Sequence, residues 1–72
     1  MEDVDIKKII NEVSKSMKKK SYNPITQIVG YLISGDLGYI PDFDDSRNKI
    51  ARIDRTLILE HMISEYLDKW DV

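Results

Sequence analysis

Ser21-Tyr22-Asn23-Pro24-Ile25-Thr26-Gln27-Ile28-Val29-Gly30-Tyr31-Leu32-Ile33-Ser34-Gly35 contains no charged residue, in a chain whose composition is 33% charged. Asparagine before proline marks a helix start: the carboxamide of Asn23 can cap, and Pro24 at the first position needs no amide donor. The spacing predicts a helix from Pro24 to about Ser34, stopped by Gly35. Ile25, Ile28, Val29, Leu32 and Ile33 share one face. Thr26, Gly30 and Ser34, four apart, form a strip of small residues on the other. Small side chains allow another backbone to come close, and a mid-helix glycine otherwise costs about 0.5–1 kcal/mol against alanine. An uncharged helix with two packable faces reads as the centre of a structure. Tyr31 lies about 60° off the apolar face, where it suits a dimer or partner contact.

The flanks read as further helices. Upstream, Ile6, Ile9, Ile10, Val13 and Met17 keep the helical period from about Asp3 to Lys19, in a stripe about 100° wide. Acidic residues lead and lysines trail, as the helix dipole favours. Downstream, Asp36 to Asp45 carries glycine, proline and acids and reads as a loop with apolar anchors. Asp44 or Asp45 can cap a short third helix, Ser46 to Ile53, with Ile50 and Ile53 inward. The last helix runs from Asp54 or Thr56 to about Trp70. Its apolar residues Ile58, Leu59, Met62, Ile63, Tyr66, Leu67 and Trp70 spread over about 180°, more than one neighbouring helix covers. Leu57 lies outside that arc.

With 72 residues the chain is a single domain at most. A domain this small buries only about 60% of the surface its unfolded chain exposes. No cysteine is present, and one histidine cannot build a zinc site, so a partner subunit is the remaining staple. Thirteen acidic residues against eleven basic ones argue against a dedicated nucleic-acid binder. The acidic start Met1-Glu2-Asp3-Val4-Asp5 is no secretory signal, which implies a cytoplasmic protein, and no stretch is long enough for membrane insertion.

The stretch from Tyr22 to Asp36, then Tyr39-Ile40-Pro41, Ser46-Arg47-Asn48 with Ile50, and Asp54-Arg55, resembles the IreB family, small phosphoproteins of low-GC Gram-positive bacteria. The resemblance spans roughly residues 21–67, with residues 1–20 a divergent amphipathic helix. It implies a helical homodimer without enzymatic activity. It further implies a negative regulator of cell-wall antibiotic tolerance, acting as substrate of a transmembrane Ser/Thr kinase that senses peptidoglycan. Three departures stand out. No hydroxyl residue precedes Ser14, so the family's N-terminal phosphorylated threonines have no counterpart; the kinase-substrate role does not carry over and phosphorylation is left unassigned. Leu37 replaces the family's usual proline. Thr56 and Leu57 replace residues that are usually acidic.

Asp42, Asp44 and Asp45 lack the alternating spacing and distal acid of a calcium loop and are better explained by capping. His61 shares the polar side of its helix with Glu60, Ser64, Glu65 and Asp68. One helix cannot align a nucleophile, base and orienting group, so a surface histidine is expected. Lys15 and Lys18 to Lys20 form the one basic cluster, a solvated helix end or, alternatively, the contact surface of a small nucleic-acid-binding module. Arg47, Arg52 and Arg55 are expected first to pair with Asp44, Asp45 or Asp54, and the alternative reading makes Tyr39, Arg47, Asn48 and Arg55 a polar recognition surface. Thr26, Gly30, Tyr31, Ser34, Leu57, Met62, Tyr66 and Trp70 are the candidate dimer or partner interface. The sequence therefore predicts an all-α chain of about four helices per subunit in an intertwined or side-by-side homodimer. It is expected to bind an unidentified regulatory partner, with no cofactor, metal or catalytic residue.

Overall fold

The computed structural model describes residues 3–70, and side chains from Asp5 to Asp68. Four α-helices follow one another: α1 (Asp3–Lys19), α2 (Pro24–Ser34), α3 (Ser46–Ala51) and α4 (Arg55–Trp70), with a 3-10 turn at Leu37–Tyr39 between α2 and α3. The described residues contain no strand. The all-α expectation holds, and the first two helices have the bounds the sequence predicts. The third stops at Ala51, two residues early, and Ile53 turns inward from the connection that follows.

Local chemistry explains the boundaries. Asn23 is extended, with φ −85° and ψ 110°, and its side-chain oxygen accepts from Ile25 N at 3.0 Å and Thr26 N at 3.2 Å. Those are donors that the first helical turn leaves without partners. At the other end Gly35 takes φ 75°, and its N–H donates to Tyr31 O at 2.7 Å. The end of α1 is closed the same way without a glycine. Tyr22 N donates to Met17 O and Ser21 N to Lys18 O, while Ser21 itself holds φ 65°. This is a Schellman stop with serine in the left-handed position, where an L side chain is strained.

The start of α3 departs from expectation. Neither Asp44 nor Asp45 caps its backbone. Asp45 occupies the N-cap position with φ 60° and no side-chain cap, its carboxylate instead accepting from Asn48 Nδ2 at 2.7 Å. Asp44 reaches back to α1, where Oδ2 accepts from Ser16 Oγ at 2.9 Å and from Lys19 Nζ at 3.3 Å. Both aspartates are in left-handed backbone. Ser46 Oγ closes the turn by donating to Phe43 O at 2.7 Å.

The core joins Ile6, Val13 and Met17 of α1 to Ile28, Tyr31 and Leu32 of α2, with Ile40, Ile50, Ile53 and Ile58. Ile9 and Ile10 flank it, so the whole predicted stripe of α1 is used. Thus α1, not α2, is the central helix: it packs chiefly on α3 and also touches α2 and α4, whereas α2 packs chiefly on the 3-10 turn. Lys49 Nζ, 3.4 Å from Glu12 Oε1, adds an ion pair across the α1–α3 seam.

The reading of α2 as the centre of the structure is therefore corrected. Its inward face is Ile28, Tyr31 and Leu32, rotated by roughly 70° from the face expected. Tyr31 turns in, while Ile25, Val29 and Ile33 stay exposed at 76%, 48% and 80%. Tyr31 joins the core cluster, where a large aromatic ring contributes much buried area.

Candidate interaction surface

An apolar groove of about 310 Å³ opens between α1, α2 and α4. Ile10 and Ser14 form its α1 wall, Pro24, Ile25 and Val29 its α2 wall, and Leu59, Met62 and Ile63 its α4 wall, with Ile28 and Leu32 as floor. The last helix continues the apolar surface beyond the groove. From Met62 to Asp68 every residue is exposed, including Ile63, Tyr66 and Leu67. Among the described side chains of α4, Ile58 alone is buried. The broad face expected of this helix is thus present and uncovered within one chain. Leu57, 43% exposed, lies on the opposite side of α4.

The proposed interface residues do not gather in one place. Met62 lines the groove and Tyr66 extends it, whereas the side chain of Trp70 lies outside the described residues. Tyr31 is 5% exposed and belongs to the core, so the contact with a second molecule expected for it is replaced by one within the chain. Thr26 and Ser34 are exposed on the far side of α2. Ser34 Oγ donates to Gly30 O at 2.7 Å and accepts from Asp36 N at 3.0 Å, tying off the helix end. The close approach expected at Gly30 exists, but it is made by Tyr39 of the same chain. A Cβ at residue 30 would stand 2.5 Å from Tyr39 Cε1.

The polar residues brace the loop after α2. Gln27 Nε2 donates to Tyr39 O at 3.0 Å, and Arg47 Nε donates to Ile40 O at 2.8 Å. Together with Lys20, Tyr22 and Phe43 these residues line a second hollow of about 280 Å³. Arg55 stands apart from Tyr39, Arg47 and Asn48. Its Nη1 donates to Leu32 O at 3.0 Å, placing a cation against the C-terminal carbonyls of α2, where the helix dipole favours one. The arginine–aspartate pairs expected at these positions are replaced by carbonyl contacts, which hold backbone segments that α-helical bonding leaves unsatisfied.

Basic and titratable groups fall around this frame. Lys15 and Lys18 are exposed on α1, Lys19 pairs with Asp44, and Lys20 Nζ sits 4.4 Å from the centre of the Phe43 ring. The hydrogen bond from Ser16, helped by Lys19 and Lys49, holds the Asp44 carboxyl below the usual aspartate range, against a smaller opposing effect of desolvation. His61 is not the surface residue expected: its side chain is 12% exposed beside Lys7, Ile10 and Asn11, with Nε2 3.9 Å from Glu65 Oε1. Among the described residues no group of three or more His, Asp or Glu side chains could hold a metal ion, and no helix is long and apolar enough to cross a membrane.

Sequence reasoning missed Ile25, Val29 and Ile33 as surface residues because it read α2 as the centre of the structure, whereas Leu59 and Ile63 fall on the wide α4 face it expected to lack a cover within the chain. The available signal was the spacing of Ile25, Val29 and Ile33 at intervals of four, a stripe of its own beside the Ile28–Leu32 pair. Compared with known families, residues 1–68 match the family model described as IreB regulatory phosphoprotein, and the match takes in α1 as well as the stretch quoted above.

Proposed function

Because the chain belongs to the IreB family of regulatory phosphoproteins, we propose that it is a non-enzymatic regulator that acts by binding proteins, its groove between α1, α2 and α4 closed by a second copy of itself. The observation that carries this reading is the run of α4 from Met62 to Asp68, exposed throughout and apolar on one side. A short helix is marginal in water unless an apolar face is packed. The accessible surface of the chain, 5197 Å², also exceeds the about 4600 Å² expected of a compact monomer of 8.4 kDa. In a two-fold dimer one patch covers itself, so the projecting half of α4 from each protomer can lie along the groove of the other. The occupant is a second copy because groove and helix are apolar together and a domain of this size gains most from a partner subunit.

The wider role is inferred from the family. It is control of cell-wall stress or antibiotic tolerance in the cytoplasm, downstream of a transmembrane Ser/Thr kinase. Light scattering over a dilution series tests the assembly: a mass near twice 8.4 kDa is expected. Ile63→Glu, which puts a charge into the groove wall, is expected to yield a helical monomer. A wild-type chain that is folded and monomeric at all concentrations would refute the self-association.

A further inference from the structure

We propose that the hollow beside the 3-10 turn binds a ribonucleoside monophosphate, its base against aromatic rings and its phosphate on Arg47 and Lys20. This adds a small-molecule site to the regulatory reading and stands apart from it, because no residue lines both this hollow and the apolar groove. Of the chain's four tyrosines and single phenylalanine, Tyr22, Tyr39 and Phe43 line this one hollow. None of the three belongs to the core cluster, and Tyr22 and Tyr39 are 48% and 40% exposed. Buried Ile40 and Pro41 complete the apolar part of the lining. Rings left half in water around a concavity offer a flat ligand apolar area that folding has not used.

The polar groups are unused as well. Arg47 is half-buried, and only its Nε is engaged, on Ile40 O. Among the described residues its two Nη atoms have neither a hydrogen-bond partner nor a carboxylate in ion-pair reach. Their four N–H groups form a planar fork that matches phosphate, and half-buried donors left unsatisfied favour an acceptor from outside. Lys20 also lacks an ion pair among the described residues, and its Nζ lies 4.4 Å from the Phe43 ring centre, so charge and π surface already adjoin. Lys19, 5.8 Å from the same ring, is instead committed to Asp44. Gln27 gives Nε2 to Tyr39 O, which leaves its side-chain oxygen as an acceptor. Asp42, exposed and the one carboxylate of the lining, is of the type that accepts from ribose hydroxyls.

Size and charge narrow the ligand. A hollow of about 280 Å³ lies at the small end of ligand sites and holds a small molecule, not a helix. Two cations against one carboxylate favour an anion. Inorganic phosphate would satisfy the cations and leave the rings bare. A neutral nucleoside would cover the rings and leave the guanidinium unpaired. A nucleotide does both, and stacking accepts any base because each has a π-face.

The test titrates the isotope-labelled full chain with AMP and follows its amide resonances, with adenosine, ribose phosphate and inorganic phosphate as controls. Saturable shifts clustered at Tyr22, Tyr39, Phe43 and Arg47 are expected, with a Kd of about 0.1–1 mM and binding about tenfold weaker or worse for each control. Tyr22→Ala, outside the core, is expected to weaken AMP binding about tenfold through the loss of one stacked ring. Lys20→Gln is expected to weaken it by about three- to tenfold and to flatten its salt dependence. Circular dichroism is expected to be unchanged in both variants, and the comparison of AMP with its controls needs no variant at all. Adenosine or inorganic phosphate binding as tightly as AMP would overturn the assignment, as would an AMP affinity unchanged in Tyr22→Ala. Shifts centred on Lys15 and Lys18 would also overturn it, by showing attraction to the basic end of α1 alone. A folded chain whose hollow shows no shift with AMP would overturn it outright. None of these results bears on the groove, which is read by mass in solution.

Discussion

Replacing Gly35 with alanine acts on two features at once, and the structure sets the size of each. Gly35 has φ 75°, a left-handed conformation that costs an L residue about 1–2 kcal/mol. A Cβ there would also stand 2.8 Å from Arg55 Cζ and 2.9 Å from Nη2, inside contact distance of a guanidinium that is hydrogen-bonded to Leu32 O. Displacing that group forfeits a charge-assisted bond in a partly buried site, about 1–2 kcal/mol once partial exposure is allowed for. Gly35→Ala is therefore expected to cost roughly 2–4 kcal/mol, out of about 4–11 kcal/mol for a chain of this length. The assay is urea unfolding followed by circular dichroism, at one fixed protein concentration because assembly contributes to the measured stability. Arg55→Ala supplies the second arm of a double-mutant cycle. In its background only the backbone strain should remain, so Gly35→Ala should cost about 1–2 kcal/mol. If the two costs agree within about 0.5 kcal/mol, the sites do not interact and the placement of the guanidinium against Gly35 is wrong.

Three further outcomes are expected. Ser21→Gly should stabilise the chain by about 1 kcal/mol by removing left-handed strain, and a lower urea midpoint would contradict that. Ser16→Ala should raise the Asp44 pKa toward the ordinary aspartate value, because it deletes the largest cause of its depression. Since the folded-state pKa is lowered, the Asp44 contribution is complete above the ordinary aspartate range and is lost as pH falls through the lowered value. The stability gap between wild type and Ser16→Ala should accordingly narrow on acidification, and a gap constant with pH would refute the linkage. Gly30→Leu should lower stability by about 1–3 kcal/mol by driving the Tyr39 ring off α2. Tyr39→Ala should recover part of that loss in thermal melts, and no recovery would mean that another neighbour sets the limit.

The sequence by itself determined the helices of this protein and the ends of the first two. Asn23-Pro24 and Gly35 specify α2 through groups that interact within a few residues, and the single narrow stripe from Ile6 to Met17 specifies α1 through one unambiguous periodicity. It also showed that α4 carries more apolar surface than one neighbour can cover, because the breadth of an arc is a property of spacing alone. Only the tertiary structure decided which part of α2 faces inward. Its residues are uncharged on every side, so hydrophobicity placed no penalty on rotating the helix by some 70°, and the packing of Tyr31 chose the angle. The same holds for the polar residues. Arg47 and Arg55 had acidic residues within reach in sequence, yet they bind the carbonyls of Ile40 and Leu32, and Asp44 binds Ser16 on a helix 28 residues earlier. Such partners come from chain segments distant in sequence. Their unsatisfied backbone groups exist only once the helices have ended and packed, so no local pattern of residue types could have named them.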